Sequence, residues 1–466
     1  MMTHKRLPFF CGLFLAALLP SAYAGVTTLY NFTDGVDGAI PESGVIQAAN
    51  GVFLGTAING GTNGFGDIFS VTSAGSLTPL YSFTNGVDGA VPWSGLLQVS
   101  GGNFFGTTLE GGFGFGTIFE ATASGVLTPL YAFTGDADGA APEGSLTLGP
   151  DGALYGTANA GGSEGIGSVF RITTGGAFLP LHSFAETDGD SPATGLTVGP
   201  NGNLYGSTAE GGASGFGALF QITTGGQFTP LYSFTGGNDG ASPQVALVSA
   251  TDGNLYGVAS SGGTNHNGTL FRMTPAGQFT ALYSFSADNS GTNADGINPA
   301  ALIQASDGNL YGVASFGGQS GAGTIFKATL AGAVTPLYSF GATSTDTHTN
   351  TDGSSPSGII QGRDGNFYGT TLNGGPGALG TIFTFTGPGT AFQFVTPGGI
   401  QYANGHATLT LSGLAAQGPV IIDASTDLTH WSPILTNPPA SGQIQLTDPA
   451  AGSFAYRFYR ARLIEP

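Results

Sequence analysis

Short apolar runs recur along the chain, parted by clusters of Gly, Asn, Asp and Ser, and the runs come in sets. Leu-Tyr-x-Phe places its aromatic at Tyr30, Tyr81, Tyr131, His182, Tyr232, Tyr283 and Tyr338, at intervals of 51, 50, 51, 50, 51 and 55 residues. Asp-Gly-x-x-Pro follows each copy, with Asp at 37, 88, 138, 188, 239, 295 and 352. Next come an apolar run, in most copies an Asn-Gly or Asp-Gly turn, then a Gly-Gly pair and an apolar stretch ending in Phe (Phe69 to Phe383). The pattern predicts four strands per unit; in one unit these are 245–250, 254–259, 269–274 and 278–285. Gly253 and Gly277 supply the positive φ of tight hairpins, and Pro243 sits at a strand entrance, where its missing N–H does no harm. Four strands in about 50 residues, repeated seven times, describe an all-β, seven-bladed β-propeller. The seventh unit supplies only three strands (358–361, 366–371 and 380–385). Strand 26–32 can complete it, because Leu29, Tyr30 and Phe32 keep the full motif. The degraded copy at 391–395 competes for that slot.

The unit "DGNLYGVASSGG…GTLFRMTPAGQFTALYSF" resembles the GloVer tandem repeat of exported bacterial "choice-of-anchor" proteins. The resemblance covers residues 25 to about 390. It implies export and a variable C-terminal anchor, and no activity that transfers to individual residues; this chain shows no anchor helix or sorting motif. Lys5 and Arg6, the apolar stretch from Pro8 to Pro20, and Ala22-Tyr23-Ala24 read as a signal peptide over residues 1–24. The mature chain is expected to begin at Gly25, with the propeller over 25–390. Residues 391–466 lose the period. Their "IIDASTDLTHW…FYRAR" is similar to a small β-sandwich module that ends many such proteins, and Trp431 is available for its core.

Composition narrows the classes. There are 83 Gly, and only 8% of residues are charged, so the long polar side chains that cover helices are missing. Aromatic content of 11% and a mean hydropathy of +0.15 exclude a disordered chain. The net charge is −19, and Lys327 is the only lysine outside the signal segment. Such a surface repels phosphate, which argues against nucleic acid and anionic membranes as partners. The single cysteine, Cys11, lies in the signal segment, leaving no disulfide or thiolate site in the mature chain.

Candidate chemistry is sparse. Gly161-Gly162-Ser163-Glu164-Gly165 matches G-x-S-x-G, but in a β loop rather than a strand–helix elbow. No Lys follows any Gly loop as a Walker-type site needs. His182 replaces the repeat tyrosine, and the remaining histidines are scattered. No catalytic residue is assigned. The positions that vary between repeats are more informative. After each Pro stand Glu42, Trp93, Glu143, Ala193, Gln244, Ala300 and Ser357; before each Gly-Gly stand Asn59, Glu110, Ala160, Glu210, Ser261, Phe316 and Asn373. A structural constraint would repeat sevenfold, so Glu42, Trp93, Glu110, Glu143, Glu210 and Phe316 are the candidate ligand-binding residues. Insertions in the last two units carry Asp288, Asn293, Asp295 and Asp346, Asn350, Asp352. These are oxygen ligands of the kind Ca²⁺ takes, and Asx-turns account for the same residues without an ion. The expectation is an exported, non-catalytic binding or surface-interaction propeller for a polysaccharide or a cell-surface protein. A propeller lyase or hydrolase and a purely structural envelope component are the alternatives.

Overall fold

A computed structural model describes residues 25–99, 101–287 and 292–386. In the C-terminal region it describes 393–394, 400–403, 406–415, 420–426, 432–437, 441–451 and 458–463. The signal segment and Trp431 therefore lie outside the described residues.

Seven antiparallel four-stranded sheets, each in simple meander order, form the blades of a propeller. The unit analysed above has strands Val248–Ser249, Leu255–Ala259, Thr269–Met273 and Phe279–Ser284. The ring closes through the N-terminal strand Val26–Asn31, which pairs with Thr381–Phe385 as the fourth strand of blade seven. The competing segment goes elsewhere: Phe394 pairs with Leu411 in the C-terminal region.

Between adjacent blades lie the cores. One cluster joins Tyr256, Val258 and Leu270 of blade five to Leu302, Leu310 and Phe326 of blade six. The Gly of each Tyr-Gly or Phe-Gly step makes room for the Phe of the third strand. A Cβ on Gly257 would stand 2.4 Å from the Phe271 ring. Hydroxyls on second strands tie one blade to the next. Thr107 donates to the Pro142 carbonyl (2.8 Å), Thr157 to Thr194 (2.7 Å) and Thr370 to Ser43 (3.1 Å).

The innermost strand departs from expectation. In blades one to five its ladder is only two residues long, whereas blades six and seven have Asn293–Gln304 and Ser354–Gln361. The cause is one residue. Blade five reads Pro243-Gln-Val-Ala-Leu247, while blade six reads Pro299-Ala-Ala-Leu302. The extra residue leaves the segment between proline and the ladder unpaired in blades one to five, whereas the shorter segments of blades six and seven stay in the ladder through register shifts at Pro299/Ala301 and Pro356/Gly358.

The C-terminal region contains two small antiparallel sheets. One pairs His406–Ala415 with Ile400–Ala403 and Ser441–Asp448; the other pairs Val420–Ser425 with Ser432–Asn437 and Phe458–Leu463.

Candidate functional site: the loop face of the propeller

The Asp-Gly-x-x-Pro and Gly-Gly loops share one face. Single bridges tie them within blades one to five, as between Ala90 and Glu110 or Asp190 and Glu210, and the inner-strand ladder does so in blades six and seven. The recurring Asp organises its own turn. Asp88 accepts from the Thr84 N–H (2.8 Å), the Thr84 hydroxyl and the Tyr81 hydroxyl (3.0 Å). Burial pushes the Asp88 carboxyl up, but the bonds from Thr84 and Tyr81 outweigh it and hold the group below the ordinary Asp range. Burial and the same carboxylate push Tyr81 up to about 12. His182 takes the tyrosine's place with Nε2 3.2 Å from Asp188 and its ring stacked 3.7 Å from Phe228.

The insertion residues serve the same turns. Asp295 accepts from Tyr283 and from the Ser286 N–H, and Asp352 from Tyr338 and the Gly341 N–H. Asn293 and Asn350 each close a loop, donating to the Gly296 and Gly353 carbonyls and accepting those residues' N–H. Asp346 is exposed, and Asp288 lies outside the described residues. Among the described residues, no three His, Cys, Asp or Glu converge as a metal site.

The residues after the prolines stand on the innermost segments, at the mouth of the central channel. Glu42, Trp93 and Glu143 occupy blades one, two and three, each half-buried. Below them the segments of neighbouring blades meet backbone to backbone: a Cβ on Gly358 would lie 2.3 Å from the Gly44 Cα. Burial, reinforced by the charge of Glu143, pushes the Glu42 carboxyl up to about 7. Burial also raises Glu143, opposed by the Asn159 amide, which donates to Oε1 at 2.8 Å. The arrangement is two mutually repelling carboxylates on either side of the indole's blade. Gln244 is exposed in the same ring, and Ala193, Ala300 and Ser357 leave the remaining positions small.

Glu110, Glu210 and Phe316 lie farther out and are exposed. The backbone carbonyls of the two glutamates accept from Thr108 and Thr208, leaving their side chains toward solvent. Sequence reasoning missed the exposed apolar residues Val36, Val87 and Phe113 on the same loops. Phe115 and Phe216 are different, because each ring covers a glycine of the next blade's loop, Gly135 and Gly236. All four basic residues of the repeat region, Arg171, Arg272, Lys327 and Arg363, belong to the opposite end of the blades. Arg171 and Lys327 pair there with the turn residues Asp151 and Asp307.

The family model described as the Gloeobacter/Verrucomicrobia repeat matches residues 18–199 and 181–350. No curated protein matches. Among solved structures, the chain is similar to the extracellular domain of a one component system, BT4673, from B. thetaiotaomicron. Identity is 10% and the TM-score 0.50, over 95% of this chain and 59% of that one. A fungal alcohol oxidase of the AA5 family, in complex with copper, shares 13% identity at a TM-score of 0.50, over 95% and 92% of the two chains. At these identities the likeness is one of fold. Among the described residues, no helix is long and apolar enough to cross a membrane.

Proposed function

The chain belongs to the Gloeobacter/Verrucomicrobia repeat family, and from that premise we propose an exported, non-catalytic binding propeller that takes a carbohydrate on its loop face. The supporting observation is the Glu42–Trp93–Glu143 trio at the channel mouth, where three neighbouring blades depart from one another at a half-buried position. An indole face stacks on a pyranose ring, and carboxylates accept sugar hydroxyl hydrogen bonds. The recurring Asp residues are spent on their own turns, so selectivity falls to the variable set, with Glu110, Glu210 and Phe316 as outer contacts. Export is supported by Lys5, Arg6 and Ala22-Tyr23-Ala24 ahead of Gly25. N-terminal sequencing of secreted protein should begin at Gly25.

Calorimetry against bacterial and plant polysaccharides, with and without Ca²⁺, tests the reading; the calcium arm tests the Asn293, Asp295, Asp346, Asn350 and Asp352 loops. Trp93→Ala and Glu143→Ala should each weaken binding about tenfold or more, with the melting temperature nearly unchanged. No binding across the panel would overturn the proposal and favour a structural envelope component. One observation favours a second reading as hydrolase or lyase. Burial and the charge of Glu143 push Glu42 up to about 7, so it can hold a proton near neutral pH as a general acid must. Chain cleavage abolished by Glu42→Gln would establish that reading.

A further inference from the structure

We infer that the loop face selects cationic, amine-bearing saccharides over their neutral counterparts, so that the preferred ligand is a polymer of amino sugars. The inference rests on the carbohydrate reading above and narrows it. Three independent features converge on one face. First, charge is sorted by face. Glu42, Glu110, Glu143, Glu164 and Glu210 stand on the loops or at the mouth they surround, and every Lys and Arg of the repeat region stands at the other end. An anionic ligand would find no counter-charge here, whereas an ammonium group would find one on several blades. Second, the mouth holds two carboxylates that repel each other, so a cation placed there gains attraction to both and relieves the repulsion, in a half-buried setting that screens it less than open water.

Third, the apolar groups on this face lack cover. Val87 is 76% exposed, Phe113 71% and Phe316 50%, whereas Phe115 and Phe216 have a structural task over Gly135 and Gly236. Flat aromatic faces beside carboxylates suit a ring that carries both an apolar face and an ammonium group. Val87 and Phe113 lie side by side on blade two, where the Gly112 N–H donates to the Gly86 carbonyl at 2.8 Å, and Phe316 stands apart on blade six. Two small apolar spots on an acidic face suit the apolar faces of separate sugar rings better than the continuous apolar core of a protein interface does.

The test is calorimetry of the full mature chain with a glucosamine oligomer, its fully N-acetylated form and an oligolysine. The amine form should bind at least about tenfold tighter at low salt, and the gap should narrow as the Debye length shrinks from about 10 Å at 0.1 M to about 3 Å at 1 M salt. Its binding near pH 7 should release protons, seen as a buffer-dependent heat. Glu42→Gln should remove that release, and Glu143→Gln should shrink the preference, neither with a loss of melting temperature. Equal affinity for the two saccharides overturns this inference and leaves the carbohydrate reading standing. No saccharide binding, here or across the polysaccharide panel, overturns both. Oligolysine bound as tightly as the amine saccharide also overturns it, in favour of a basic polypeptide partner.

Discussion

Asp67 begins the third strand of blade one, where the other blades carry Thr117, Ser168, Ala218, Thr269, Thr324 and Thr381. Four of those hydroxyls donate to the carbonyl of their blade's recurring Asp, as Thr269 does to Asp239 at 3.0 Å. Asp67 is fully buried, and neither carboxyl oxygen has a hydrogen-bond partner. Burial, with a contribution from Asp37, pushes it up to about 8. The protonated acid is the form that can stand in for the missing hydroxyl. Because the folded-state value lies above the unfolded one, this stabilisation is complete below the ordinary Asp range near 3.8 and is lost as pH rises through about 8. Asp67→Thr should therefore flatten the fall in melting temperature between these pH values and stabilise the protein by about 1–3 kcal/mol at pH 8. An unchanged pH profile would reject the assignment. Glu42 adds a second fall up to about 7, which the difference between variant and wild type removes. Asp88→Ala acts oppositely. It leaves the Thr84 and Tyr81 donors without their acceptor and should cost about 2 kcal/mol or more, while saccharide binding by the surviving fold is retained. In the sequence Asp67 is visible only as a break in a Thr/Ser column, and nothing in one chain says that the column is buried.

The strand Val26–Asn31 shows how much of an element can be read before its partner is known. Leu29, Tyr30 and Phe32 keep a motif that six other fourth strands carry, so its slot in blade seven followed from counting strands. In the structure Thr28 faces Phe383, and Tyr30 donates to Asp37 at 3.0 Å, so the strand completes blade seven and braces the first loop of blade one. Deleting residues 25–34 opens the ring and exposes the blade-seven core around Phe383 and Phe385. The expected result is a sharply lower or absent thermal transition; the same transition in the truncated chain would reject this closure. Inner-strand length was not legible in the same way. It depends on whether three residues or two separate the proline from Leu247 and its counterparts, and a period-two pattern of small residues does not reveal where the ladder stops. Glu42, Trp93 and Glu143 all lie outside the inner-strand ladders, so the candidate site occupies the part of each blade that pairing constrains least.

Across the whole molecule, the chain's negative charge is less informative than its distribution. Composition gives the −19 total. The sorting becomes visible only once each loop is assigned to an end of the blades, and so does the convergence of Glu42 with Glu143 on either side of blade two. A face of one sign acts on a ligand before contact, raising the encounter rate of opposite charges in a salt-dependent way, while packed contacts govern escape. These contributions can be separated kinetically. For an amine-bearing saccharide, Glu110→Gln with Glu210→Gln should lower the association rate and reduce its salt dependence, with little change in dissociation. Trp93→Ala should do the reverse, speeding dissociation about tenfold or more at an unchanged association rate, because a stacking ring acts only after docking. Surface plasmon resonance at two salt concentrations distinguishes the cases. If the outer glutamate pair changed only dissociation, those residues would act through contact alone, and the steering role assigned to the face would fall.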